Sequence, residues 1–168
     1  AGFDTNEKKF INEFRPDDCK PKIGAAKYPV WSALIDEFQA MDLSRQIEEG
    51  TPYPIKAVMA FGMNHRMFPQ PTDMLGALEK LDLLVATDIA MTDVCRHADY
   101  VLPACTSLER SELKCYAGGK LICTTPAVEP LFESRHDAQI LCELAKRVAP
   151  WDALMAAGYD ETLRYIIK

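Results

Sequence analysis

The sequence predicts an α/β fold in which helices flank a mostly parallel sheet, giving three layers. Three short apolar runs bounded by turn-forming residues predict strands at 55–61, 82–87 and 99–103. Helical patterns separate these runs, and that alternation favours parallel strands joined by right-handed crossovers. A fourth strand is predicted at 119–125.

Apolar residues at helical spacing predict one helix before the first strand and another after it. The apolar face of the first helix is formed by Val30, Trp31, Leu34, Ile35, Phe38 and Met41. Thr72 is predicted to cap the second helix, because threonine hydroxyls accept backbone N–H groups at helix starts. The apolar stripe of this second helix consists of Met74, Leu75, Leu78 and Leu81.

Four further helical segments are predicted along the rest of the chain. Thr92 is expected to cap a short helix through Arg96, and Thr106 with Glu109 has the spacing of a capping box. The run HDAQILCELAKRV predicts an amphipathic helix, and a last helix is predicted to begin at Asp160. The inward face of the amphipathic helix is formed by Ala138, Leu141, Leu144, Ala145 and Val148.

Composition bounds the class of protein. The 168 residues are 48% apolar, which is enough for a core, and their net charge of −6 argues against nucleic acid as a partner. No apolar run is long enough to span a bilayer, so direct membrane insertion is not expected.

Because the chain begins without Met, we expect a piece cleaved or excised from a longer protein. Its predicted parts are an N-terminal segment with a helix at 1–50, a core at 51–150 and a C-terminal helix at 151–168.

The cysteines lack the spacing of a metal site. They are Cys19, Cys95, Cys105, Cys115, Cys123 and Cys142. No two are separated by only two residues, the arrangement that zinc and iron–sulfur sites usually need. Cys95, Cys123 and Cys142 lie in apolar runs, where free cysteine behaves as a small hydrophobic residue. His97 and His136 lie on helical segments without a partner one turn away, so no metal ligand is predicted.

Hydrogen-bonding residues follow the first two predicted strands. Gly62, Asn64 and His65 come after the first strand, and Asp88 and Thr92 come after the second. The carboxyl ends of parallel strands share one edge of a sheet, where open α/β folds bind their ligands. These loops therefore predict a small-molecule site.

The residue types limit the chemical class of the ligand but do not identify it. Gly62 permits close approach of a bulky group, and Asn64 suits a heterocycle edge or a phosphate. Asp88 is able to accept two hydrogen bonds, from a guanine edge or from a ribose diol. Thr92 offers a hydroxyl beside helix-start N–H groups, which suits a phosphate. All of these residues are also common turn formers, so a purely structural role stays open.

One long run resembles a known family. The run PYPIKAVMAFGMN, followed by ALEKLDLLVATDIAMTDVCRHADYVLPACTSLER, is similar to the molybdopterin oxidoreductases, which include dimethyl sulfoxide reductase and formate dehydrogenase. Members show a strand, a Gly–x–Asn loop, a second strand, an Asp–x–x–x–Thr segment and an ADyVLP motif. With AVEPLFESRHDAQILCELAKRV, the resemblance covers roughly residues 50–148.

The resemblance implies a fold and a cofactor. This region of the family is a third, Rossmann-like domain that binds one of two molybdopterin guanine dinucleotides, which carry molybdenum or tungsten. It implies that Gly62, Asn64 and His65 face this cofactor. It also implies that Asp88, Ile89 and Thr92 lie near the guanosine end.

The resemblance also implies what the chain does not do alone. No catalytic residue and no metal ligand is matched, so the isolated chain is expected to be inactive and to lack a bound cofactor. The expected partners are the remaining domains of the parent oxidoreductase and an iron–sulfur electron-transfer subunit. The parent is expected to be a soluble enzyme of anaerobic respiration in the bacterial or archaeal cytoplasm or periplasm.

Two departures and one rival hypothesis accompany the resemblance. Many members have Pro where this chain has His65, and an Asn–x–x–Gly–Arg segment where this chain reads CYAGGKLIC at 115–123. The rival hypothesis is a stand-alone α/β module that binds a small ligand or a partner protein and has no enzymatic role.

Overall fold

The computed structural model describes residues 22–35, 38–116 and 120–167. The described chain divides into two compact units. Unit 1 comprises the described residues up to Ala86 together with Thr92–Tyr100, and unit 2 comprises Thr87–Met91 and the chain from Val101 onward. The predicted domain bounds of 1–50, 51–150 and 151–168 stay a prediction.

Over residues 57–103, strands and helices alternate as predicted. The strands are β1 (Ala57–Phe61), β2 (Leu83–Asp88), β3 (Tyr100–Pro103), β4 (Glu112–Tyr116) and β5 (Lys120–Thr124). The helices are α1 (Pro29–Ile35), α2 (Leu43–Glu49), α3 (Pro71–Leu78), α4 (Asp93–His97), α5 (Asp137–Val148), α6 (Ala153–Ala157) and α7 (Tyr159–Ile167). Two single 3-10 turns are formed by Ala40–Asp42 and His65–Met67.

The first three strands form a parallel sheet in the order β1-β2-β3. The amide of Asp99 donates to the carbonyl of Leu84 at 2.9 Å in unit 1. The amide of Ala104 donates to the carbonyl of Asp88 at 3.0 Å in unit 2. The paired residue numbers rise together, as parallel strands require. The α/β class with a parallel sheet flanked by helices is therefore confirmed.

The core of unit 1 lies around α3. Met74, Ala77 and Leu78 of this helix are at most 1% exposed, and Leu84 and Ala86 of β2 are 2% exposed. The predicted stripe is thus buried at Met74 and Leu78 and half-buried at the other two positions. The helix packs against α2, α4 and the 3-10 turn at His65–Met67.

The predicted cap of α3 is wrong. The helix begins two residues earlier than expected, with Gln70 at the cap position, Pro71 at its first turn and Thr72 exposed inside the helix. Proline suits this position because it lacks the N–H group that would have no intrahelical partner and its φ is already helical.

β1 is only partly covered, although a near-continuous apolar run is typical of a strand that is covered on both faces. Of its five residues only Ala60 is buried, and Phe61 is 37% exposed. β1 is an edge strand of the three-stranded sheet, so it lacks a neighbour on one side.

The first predicted helix is shorter than its apolar pattern. α1 ends at Ile35, residues 36–37 lie outside the described part, and α2 follows a 3-10 turn that the sequence pattern did not predict. The predicted inward residues Val30, Trp31, Phe38 and Met41 are exposed by 43–69%. The side chains of Leu34 and Ile35 are outside the described residues.

Asp42 anchors this part of unit 1. Its carboxylate is 2% exposed and accepts from the guanidinium of Arg45 and, at 3.4 Å, from the ammonium of Lys27. The hydrogen bond from Arg45 is the largest of the effects that lower the pKa of Asp42. The pair with Lys27, 15 residues away, leaves no signature in hydrophobic periodicity.

Unit 2 contains a hairpin that the sequence pattern did not predict. β4 pairs antiparallel with β5, so the fourth predicted strand forms a separate two-stranded sheet and does not extend the parallel one. One of the two predicted capping-box contacts forms, from the amide N–H of Thr106 to Oε2 of Glu109, but it closes a turn and no helix follows.

The inward face of helix α5 agrees with the prediction at Ala145 but differs from it at Leu141 and Val148. Ile140, Cys142 and Ala145 are its buried residues, whereas Leu141 is 41% and Val148 is 67% exposed. Ala138 and Leu144 are half-buried. His136 caps this helix, because its Nδ1 accepts the amide N–H of Ala138 at 3.0 Å.

Four cysteines, Cys95, Cys105, Cys123 and Cys142, are not joined in disulfides. Cys95, Cys105 and Cys142 are buried, in agreement with the hydrophobic interpretation of the first and last, but Cys123 is exposed on the hairpin. The described part of the chain contains no helix that is long and apolar enough to cross a membrane.

Two neighbouring leucines on β2 test the core. Leu84 is 2% exposed and Leu83 is 38% exposed, because successive side chains of a strand point to opposite faces. We expect Leu84→Ala to lower the free energy of unfolding by about 2–5 kcal/mol, through lost burial and a cavity. We expect the matched control Leu83→Ala to lower it by about 1 kcal/mol or less. Urea unfolding measures both, and equal losses would contradict the assigned faces.

Candidate functional site

The loop after β1 is shaped by two of the predicted residues. Gly62 has a φ of 55°, in the left-handed region that other L residues rarely adopt, and a Cβ there would meet nothing within 4 Å. Asn64 caps the following 3-10 turn, because its Oδ1 accepts the amide N–H of Arg66 at 3.1 Å. The side-chain amide nitrogen of Asn64 has no hydrogen-bond partner among the described residues, so it is available to a ligand.

His65 and Arg66 connect this loop to α4. His65 is buried, with Nε2 at 3.9 Å from Oδ2 of Asp93. The exposed guanidinium of Arg66 donates to the same oxygen at 2.9 Å, and Arg96 donates to Oδ1 at 2.9 Å. One carboxylate therefore holds the loop after β1 against the start of the helix that follows β2.

Asp93 has a lowered pKa for a clear reason. The hydrogen bond from Arg66 is the largest cause, and the positive charges of Arg66 and Arg96 add to it. Because Asp93 lies in the first turn of α4, the partial positive charge of the helix start also favours its ionised form. Sequence reasoning missed Asp93, although an acidic residue directly after a threonine cap is a known helix-start signal.

Thr92 caps α4 as predicted, but its hydroxyl is already used. Oγ1 of Thr92 accepts the amide N–H of Cys95 at 3.3 Å and lies 3.2 Å from the Cys95 sulfur. The helix has only five residues, and the carboxylate of Asp93 follows the cap. These contacts make a phosphate at the Thr92 hydroxyl less favourable than the sequence suggested.

Asp88 and Ile89 belong to unit 2. Asp88 is the last residue of β2 and is half-buried, and its Oδ1 accepts the amide N–H of Ile89 at 2.8 Å. Its second carboxylate oxygen has no hydrogen-bond partner among the described residues. Ile89 is 65% exposed. The turn contact is what a turn-forming aspartate makes, and the open oxygen is what a ligand-binding aspartate needs.

The structure thus brings some predicted residues together directly. In unit 1, Asp93 links His65 to the helix start that Thr92 caps, and Gly62 and Asn64 shape the same loop. The segment 115–121, where the chain departs from the family pattern, has its side chains outside the described residues. In the described chain, no group of three or more His, Cys, Asp or Glu side chains is arranged to hold a metal ion.

Comparison with known proteins decides the family. The family model described as molybdopterin oxidoreductase matches residues 37–147, which include both loops. The chain belongs to the molybdopterin oxidoreductase family. The resemblance that the sequence motifs predicted is therefore confirmed.

Similar proteins are much longer than this chain. Trimethylamine-N-oxide reductase from Pasteurella multocida is 30% identical over 76% of this chain and 17% of its own length. Trimethylamine-N-oxide reductase from Vibrio cholerae is 43% identical over 44% of this chain and 9% of its own length. Dimethyl sulfoxide/trimethylamine N-oxide reductase from Cereibacter sphaeroides is 38% identical over 52% of this chain and 11% of its own length. The chain spans less than a fifth of each of these three relatives.

A solved structure supports the fold. Acetylene hydratase from Pelobacter acetylenicus matches 84% of this chain with a TM-score of 0.66 and 25% identity, using 24% of its own chain. The chain therefore corresponds to one segment of a larger molybdopterin oxidoreductase, and the stand-alone module is not favoured. The family implies a molybdopterin cofactor.

The ion pairs of Asp93 predict that its contribution to stability depends on pH. Its folded-state pKa is lowered, so its contribution to stability is present above the unfolded pKa and is lost as pH falls through the folded pKa. We expect Arg66→Gln to raise the pKa of Asp93 towards its ordinary value, because the largest cause of the shift is removed. NMR titration of the Asp93 carboxyl carbon measures this. An unchanged midpoint would show that Arg66 does not hold the carboxylate.

Proposed function

We propose that this chain is the segment of a molybdenum or tungsten oxidoreductase that holds one molybdopterin guanine dinucleotide. The loops that follow β1 and β2 are the proposed binding elements. The observation that carries the proposal is the family match over residues 37–147, which contains all six predicted contact residues. Those residues are Gly62, Asn64, His65, Asp88, Ile89 and Thr92.

The described groups fit such a cofactor. The open space at Gly62 admits a bulky group, and the side-chain amide of Asn64 supplies two N–H donors. The second oxygen of Asp88 is an acceptor suited to the N–H donors of a guanine edge, or to a ribose diol. Because Oδ1 of Asp88 is fixed by Ile89, the carboxylate is already oriented for binding.

Each proposed residue has a task that does not involve the reaction itself. Gly62 keeps the backbone close to the cofactor, and Asn64 donates to it. His65, being buried beside Asp93, positions the loop and does not present its own ring to a ligand. Ile89 offers an exposed apolar surface to the guanine ring, and Thr92 orients the start of α4. When bound, the metal-carrying cofactor supplies two-electron redox chemistry.

The names of the relatives support a proposal for the parent reaction. Three of them are named as reductases of trimethylamine N-oxide, one of these also of dimethyl sulfoxide, at 30–43% identity. We propose that the parent enzyme reduces an N-oxide or S-oxide by oxygen-atom transfer, as part of anaerobic respiration in a bacterial or archaeal cytoplasm or periplasm. The remaining domains of the polypeptide complete the site, and an iron–sulfur subunit is the proposed electron donor.

Replacing Asp88 tests the binding role. In the full-length enzyme we expect Asp88→Asn to lower cofactor content about tenfold or more, because one acceptor becomes a donor and a charge-assisted hydrogen bond is lost. The melting temperature of the cofactor-free enzyme should stay nearly unchanged. Metal and nucleotide analysis of the purified enzyme, together with thermal unfolding, measures both quantities.

Asp152→Asn is the matched control. Oδ1 of Asp152 also accepts a nearby backbone N–H group, from Leu154 at 3.1 Å, but this aspartate lies far along the chain from either loop. We expect this variant to keep its cofactor. Full occupancy in Asp88→Asn with a lowered melting temperature would make Asp88 a turn former and defeat the proposal.

A further inference from the structure

An exposed apolar patch lies in unit 2, outside the loops proposed for the cofactor. It consists of Leu108, Val128, Leu131 and Phe132, and we refer to it as the Phe132 patch. These side chains are 61%, 52%, 65% and 100% exposed, respectively. A completely exposed phenylalanine beside three other exposed apolar residues is typical of a surface that another protein surface covers.

Backbone hydrogen bonds hold the patch together. The amides of Ala127 and Val128 both donate to the carbonyl of Leu108, at 2.8 and 3.2 Å. The carbonyl of Leu131 accepts from the amide and the hydroxyl of Ser134, at 3.0 and 2.7 Å. The two chain segments that carry the patch are therefore fastened to each other and closed into a turn.

The carboxylate of Glu109 connects the segment that carries Leu131 to Thr106. This side chain is 7% exposed, and its Oε1 accepts the amide N–H of Leu131 at 2.7 Å. Its Oε2 accepts both the amide and the hydroxyl of Thr106 at 2.7 Å. The backbone N–H groups of Thr106 and Leu131 are the main reason that the pKa of Glu109 is lowered, so the carboxylate stays ionised and holds its donors.

Phe132 is presented in a fixed backbone conformation. Its φ is 53°, in the left-handed region that residues other than glycine seldom adopt. Such a conformation persists only where the surrounding contacts determine it. Here the amide of the preceding Leu131 donates to Glu109, and its carbonyl accepts from Ser134. A backbone that is already held in place loses little conformational entropy on docking, which favours Phe132 as an interface anchor.

We infer that the Phe132 patch docks into an apolar recess on another domain of the same polypeptide. This occupant follows from length, because the chain covers only 9–17% of three relatives and 24% of the matched hydratase. Glu129 and Glu133 are exposed at the edge of the patch, so the recess has basic residues at its rim. The inference rests on the chain being part of a larger enzyme and does not depend on the cofactor site.

Hydroxyl-radical footprinting of the full-length enzyme tests the docking. Each side chain is normalised to its own modification rate in the urea-unfolded enzyme. We expect modification of Phe132 to be slowed about tenfold or more, like that of buried Leu84, because an interface anchor is fully desolvated. A rate at Phe132 close to that of the unfolded enzyme would overturn the inference.

Photo-cross-linking identifies the occupant. With p-benzoylphenylalanine in place of Phe132 in the full-length enzyme, we expect an intramolecular cross-link to a residue outside these 168. A cross-link between two copies, at twice the mass, or one to a residue within the 168, would overturn the inference. Footprinting of Asp88→Asn separates the two proposals, since we expect Phe132 to stay protected whether or not that variant keeps its cofactor.

Discussion

The burial of helix α3 is the constraint on which unit 1 depends. Met74, Ala77 and Leu78 are almost completely removed from solvent, and the helix contacts α2, α4 and the turn at His65–Met67. The free energy of burying such a face exceeds that of exposed ion pairs, which contribute about 0–1 kcal/mol each. Packing on α3 therefore brings the loop after β1 and the start of α4 together. The pairs to Asp93 then orient side chains that are already close.

Three carboxylates orient chain segments through polar contacts. Asp42, Asp93 and Glu109 each accept several donors, and each has a lowered pKa because of them. Asp93 and Glu109 have partners 27 and 22 residues away in sequence. Each carboxylate joins segments that no local pattern connects. Polar contacts to these carboxylates thus order the loops, and apolar burial forms the core.

The sequence was sufficient for the order of elements from β1 to β3, for the end of β2 and for the start of α4. Short apolar runs and a threonine cap are local signals, so β2 ending at Asp88 and α4 capped by Thr92 could be predicted. The hairpin β4–β5 could not, because its pairing is set by the register between two strands and not by either run alone. Asn64 was identified by its loop, whereas Asp93 became visible only through its contacts with Arg66 and His65.

The wrong predictions of burial share a physical cause. Hydrophobic spacing reveals an apolar face, but it does not say whether the same chain covers that face. Val30, Trp31 and Val148 have the spacing of core residues and are exposed by 69%, 43% and 67%. A self-contained globular protein rarely leaves such surface uncovered, whereas a segment of a larger enzyme leaves it for its neighbours. The exposed faces of this chain therefore carry information about the rest of the polypeptide, just as its buried face on α3 carries information about its own fold.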